Sequence, residues 1–195
     1  MKTNQLIIAI IVSIALFSNI INAQEKTEDP VQGSQFTFVY PLGTNGTDAI
    51  SKSNNFSFNV LLGVNGGLNG VEFGGLANYN HGEVQGAQFA GIANINREKT
   101  YGVMWAGCFN LALDDAQGAQ FSELNLAMGD FNGFQAGVIN YAGRLRGVQL
   151  GIINIVGEDN GAVPIGLINV VKGGYYALEL VASEVLYTNL NYKMG

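Results

Sequence analysis

Cysteine and histidine are nearly missing from this chain, with one of each, Cys108 and His81. A lone cysteine excludes an intrachain disulfide. A Cys/His zinc site or a Cys–His dyad would need both residues, and His81 falls in a stretch that reads as a turn. Cys108 stands in an apolar column and reads as a buried, inert thiol. Basic residues are scarce too, nine against fifteen acidic ones, for a formal charge of −6. That balance argues against nucleic acid as a partner and against electrostatic docking on anionic lipid. Calcium turns of the Gly-Gly-x-Gly-x-Asp kind are absent, and nothing in the composition implies a cofactor.

Long apolar runs are missing except at the start. Lys2 followed by the apolar segment Leu6 to Phe17 and a short polar stretch to Ala23 reads as a secretory signal peptide, residues 1–23. The run is short for a membrane helix. Cleavage before Gln24 removes Lys2, so the charge becomes −7. No cysteine follows at the cleavage point to carry a lipid.

Glycine is abundant, at 27 residues, and it is periodic. A unit that opens with glycine and ends in asparagine recurs seven times, most cleanly as Gly147-Val148-Gln149-Leu150-Gly151-Ile152-Ile153-Asn154. The anchors are Asn78, Asn94, Asn110, Asn125, Asn140, Asn154 and Asn169, spaced 16, 16, 15, 15, 14 and 15 residues apart. The opening glycines are Gly70, Gly86, Gly102, Gly118, Gly133, Gly147 and Gly161. Three places before each asparagine stands a second glycine, replaced by Ser122 in the fourth copy. A short fixed period of this kind marks a stacked array.

Each copy alternates at period two, as strands require. Pairs such as Val71/Phe73, Val103/Trp105 and Val148/Leu150 flank a mostly polar residue: Glu72, Gln88, Met104, Gln120, Gln135, Gln149 or Val163. The pattern predicts two short strands per copy, with Gln and Asn outward and Phe73, Phe89, Trp105 and Phe121 packed as an aromatic stack in the core. The glycine between the strands allows a corner or bulge to absorb the one-residue variation in the link. One coil per copy, stacked about 4.8 Å apart, predicts an all-β fold: a β-solenoid of about seven 14–16-residue coils with N- and C-terminal β caps. The Asn and Gln columns should form amide ladders from coil to coil.

In chain order, residues 24–35 read as a flexible lead-in, 36–69 as an N-terminal β cap, 70–174 as the repeat array and 175–195 as closing strands. Charges cluster three to six places after each asparagine, with signs that partly compensate between coils. A carboxylate pair such as Asp115 with Asp130 would suit a polysaccharide-active solenoid, but no basic residue or histidine is reliably placed beside it. No catalytic or metal-binding residues are assigned, and the chain reads as non-enzymatic.

The residue two before each asparagine is apolar in most copies: Leu76, Ile92, Cys108, Val138, Ile152 and Leu167, with Glu123 the exception. Parity places it outward or at the corner, and such a stripe marks a docking or membrane-facing surface. Val156 and Val171, two after their asparagines, extend this apolar character late in the array.

The run Gly147 to Asn154, the variant Ala162 to Lys172 and the tail Leu178 to Tyr192 resemble the secreted Gly/Asn surface-repeat proteins of Gram-negative bacteria of the Bacteroidetes and spirochaete kinds. The resemblance spans about residues 36–195 and carries no agreed catalytic residues. It implies export to the periplasm, outer membrane or cell surface, with an envelope protein, a glycan or the outer-membrane surface as partner. The alternative is an antiparallel outer-membrane β-barrel in which each copy is one membrane strand. Against it, barrel strands alternate in direction, so the motif should recur every two strands rather than every one.

Overall fold

The computed structural model describes residues 32–172, 178–182 and 188–194. The signal peptide expected at 1–23 and most of the lead-in at 24–35 lie outside the described residues. Among those described, strands dominate: β1 (Gln32–Val39), β2 (Leu42–Gly43), β3 (Ser53–Asn65), β4 (Gly67–Gly74), β5 (Ala77–Asn80), β6 (Val84–Ala90), β7 (Ala93–Asn96) and β8 (Thr100–Ala106). They continue as β9 (Phe109–Ala112), β10 (Ala116–Phe121), β11 (Leu124–Ala136), β12 (Ile139–Leu150), β13 (Ile153–Ile165), β14 (Ile168–Lys172), β15 (Leu178–Ala182) and β16 (Thr188–Met194). One 3-10 turn, Gly46–Ser51, interrupts them.

Successive coils pair in parallel and in register, and the protein is a β-solenoid of about eight turns. On the first face Gly70, Gly86, Gly102, Gly118, Gly133 and Gly147 lie above one another. On the second face the seven asparagines align from Asn78 to Asn169. The barrel alternative is therefore overturned: neighbouring copies run in the same direction, whereas a barrel would alternate them. Among the described pairs only β1–β2 and β15–β16 are antiparallel, one at each end of the stack.

Three details differ from the sequence reading. Residues 36–69 are more than a cap: β3 is a full coil, pairing with β4 through its first half and with β5 through its second. The repeat pattern does not extend to it because Gly63 stands where the other coils carry asparagine. The closing segment likewise joins the stack, since β16 pairs in parallel with β14 and sets Asn191 beside Asn169. In the last copy the residue aligned with Gly147 is Ala162, not Gly161, because an irregularity between Leu145 and Gly147 shifts the register by one.

The largest correction concerns which way the side chains point. All seven anchor asparagines and Gln88, Gln120, Gln135 and Gln149 are buried, whereas Phe73, Phe89 and Trp105 are 39%, 37% and 55% exposed. The interior of a coil this small, between two sheets about 10 Å apart, takes medium and small side chains but not columns of aromatic rings. Polar side chains can occupy it because the ladder supplies each amide with partners, which removes most of the cost of burial. Val156 and Val171 are also interior, beneath Ala112, Ala127 and Ala142. The core thus grades from polar at Asn80, Asn96 and Thr100 to apolar at Phe131, Leu145 and Val156.

The glycines follow from the same stacking. Gly102 has φ +134°, and a Cβ there would lie 1.9 Å from the carbonyl oxygen of Gly86 one coil below. Only glycine meets both demands.

Candidate functional site

Two features of the coil carry chemistry: the amide ladders inside it and the apolar surface outside. In the Asn ladder each Nδ2 donates to the Oδ1 of the next coil at 2.7–3.1 Å, from Asn78 through to Asn169. From Asn78 to Asn154 each Nδ2 also donates to a main-chain carbonyl just before the next corner, such as Phe89, Trp105, Phe121 or Ala136. The side chain thus ties the corner to the coil before it, and in later coils it shares that carbonyl with a backbone N–H, as at Ala136, Leu150 and Ile165. The ladder begins one coil early: Asn59 donates to Asn78 at 3.1 Å, its amide filling the space that Gly63 leaves open.

The Gln ladder runs the other way. Gln149 donates to Gln135 and Gln135 to Gln120, each at 2.7 Å, while Gln120 reaches only the Met104 sulfur, at 3.4 Å. Beyond that break, Gln88 donates to Glu72 at 2.9 Å. Glu72 is wholly buried and also receives the amide N–H groups of Asn59, Asn65 and Asn80 at 3.1, 2.5 and 2.7 Å. Burial pushes its carboxyl above the usual range, and these hydrogen bonds pull it back only in part. The sequence holds the signal for this site: Glu72 is the one acid in a column otherwise filled by Ser57, Gln, Met and, in register, Pro164 where the repeat pattern has Val163.

Outside, the expected stripe is exposed at the corner: Leu76 45%, Ile92 43%, Val138 44%, Ile152 48% and Leu167 45%. Cys108 belongs to the same ridge and is exposed, not buried as its apolar neighbours suggest. The aromatic column flanks this ridge. Phe73 stacks on Phe89 with centroids 5.3 Å apart and planes 14° apart, and Trp105 leans on Phe121 at 5.3 Å. Phe58, Phe73, Phe89 and Trp105, with the corner glycines, line an open groove of about 360 Å³.

The charges occupy the opposite edge. Between Gly70 and Lys172 all the charged residues except Glu72 and Glu123 lie where one coil passes into the next, in or beside turns early in the array and within continuous strand in β11, β12 and β13 or at the end of β14. Opposite signs meet there as expected: Arg144 bridges Asp130 and Glu158, one coil away on either side. The Asp115–Asp130 pair does not form an acid–base couple. Asp115 accepts the backbone N–H of Asp130, whose own carboxylate is held by Arg144. His81 lies beside Arg97, and the described residues contain no group of three or more acidic, His or Cys side chains that could hold a metal.

This geometry defines the class: a β-solenoid with a polar laddered interior, an apolar ridge and one charged edge. No protein-family model, curated protein or solved structure matches the chain.

Proposed function

We propose that this protein is a non-enzymatic component of a Gram-negative cell envelope: an exported, rigid scaffold that presents its apolar exterior to a protein, a glycan or the outer-membrane surface. The observation that carries this reading is the inversion of the usual pattern. The polar amides are spent inside, where they fix the shape, and the bulky apolar side chains are left outside, where they do nothing for the core. An exposed apolar surface of this extent marks an interaction site. The signal-peptide pattern of residues 1–23 and the resemblance to secreted Gly/Asn surface-repeat proteins support the envelope location.

Among the partners, a glycan is the least favoured. Phe73 and Phe89 stack face to face along the solenoid axis, which turns their edges outward, and stacking on a sugar needs their faces. Fractionation of Gram-negative cells expressing the whole chain tests the reading. The expected result is a product shortened by about the first 23 residues in the envelope fraction. Unshortened chain in the cytosol would overturn it.

A further inference from the structure

A scaffold with an apolar exterior needs a partner, and on that reading of the protein we propose that the partner is lipid. The corner ridge and its flanking aromatic column enter the hydrocarbon of a zwitterionic bilayer, with the solenoid axis in the membrane plane and the charged edge in water.

Three observations converge on this. The apolar surface wraps around a convex edge: the aromatic column on one face, the ridge at the corner, and Phe109, Leu124, Ile139 and Ile153 on the other face. A second copy would cover one flat side, whereas a fluid phase covers all three at once. Next, much of the ridge backbone is already paired, as hydrocarbon demands of buried polar groups. The N–H groups of Ile92, Cys108, Val138 and Ile152 donate to carbonyls of the preceding coil at 2.8–3.0 Å. Last, the charges sit where an interfacial protein needs them, on the edge away from the ridge, and the ridge carries no basic residue. Apolar insertion, not attraction to anionic headgroups, therefore drives binding, and salt has little effect on it.

Glu123 is the one carboxylate on the ridge, near its middle. It holds the partition below what the aliphatic residues alone would give. Glu123→Leu should strengthen binding severalfold.

The chain carries its own probes, a single cysteine on the ridge and a single tryptophan beside it. The full chain is mixed with phosphatidylcholine vesicles containing brominated lipid. Trp105 fluorescence should fall severalfold, and a polarity-sensitive dye on Cys108 should shift to the blue. The same dye on Asp114→Cys in a Cys108→Ser background, at the charged edge, should not shift. The local readout separates the ridge from any lipid affinity of residues 1–23. Replacing both Val138 and Ile152 by Ser should weaken the Trp105 response roughly tenfold, with circular dichroism unchanged. Raising salt from about 0.1 to 1 M should alter it less than twofold.

Trp105 and Cys108 both staying at aqueous values with vesicles present would overturn the proposal. So would shielding that develops without lipid and rises with protein concentration. That result would assign the ridge to a second copy and leave the scaffold reading intact. Loss of β structure on purification would instead count against the scaffold itself.

Discussion

Asn110 donates through one amide nitrogen to the side-chain oxygen of Asn125, 3.1 Å away, and to the carbonyl of Phe121 at 3.0 Å. One side chain thus joins two coils and closes the corner between them. Asn110→Ala removes both bonds and a third to the Met104 carbonyl, takes away the acceptor of the Asn94 amide, and leaves the carbonyl of Phe121 without its side-chain donor. We expect a loss of about 1–3 kcal/mol in urea unfolding. Asn110→Asp should be worse, because a carboxylate there would face the Asn125 oxygen with no N–H to offer.

Glu72 predicts a pH dependence of definite sign. Its folded-state carboxyl is raised from the ordinary 4.5 by burial, so the folded protein holds the proton more tightly than the unfolded chain does. The stability this confers is complete below the unfolded value and is lost as pH rises through the folded one. Glu72→Gln, which matches Gln88 at this place in the next coil, cannot ionise. The variant should gain in melting temperature over the parent as pH climbs from about 4.5, and the two should converge at acid pH. A difference that does not change with pH would refute the assignment.

Met104 breaks the Gln ladder, giving Gln120 a weak sulfur acceptor at 3.4 Å. Met104→Gln restores an oxygen there and should stabilise by about 0.5–1.5 kcal/mol. Met104→Leu keeps the volume but leaves the Gln120 N–H without an acceptor, and should cost about 1–3 kcal/mol. Paired denaturation curves for the two variants decide the matter.

Gly102 cannot carry a side chain: its φ is positive and the Gly86 carbonyl sits 1.9 Å from where a Cβ would be. Gly102→Ala should cost at least about 1–3 kcal/mol from backbone strain, with the contact adding to it. Gly33→Ala, where nothing lies within 4 Å, is the control and should be near neutral by the same assay.

The repeat, the coil and the parallel stacking were legible in the sequence because a fixed glycine-to-asparagine distance repeated in one direction admits few other arrangements. The exposed stripe at Leu76, Ile92, Val138, Ile152 and Leu167 was legible for the same reason. The inside was not. Hydrophobic patterning places Phe73 and Trp105 in a core and Gln88 in water, and it has no term for amides that satisfy one another across coils. The β3 coil was hidden because Asn59 performs from within the first strand what an asparagine at position 63 would have done from the second. Glu72 could have been noticed as the odd member of its column. Its burial could not, until the direction of the column was known.

The two ladders point their N–H groups toward opposite ends of the stack. Each coil offers its successor a backbone edge of the same kind that it accepts from its predecessor. Such an object has no intrinsic length. A whole period, such as residues 102–117, could be deleted or duplicated in the gene with both ends still matched, so the reach of the apolar ridge can be lengthened or shortened by recombination alone.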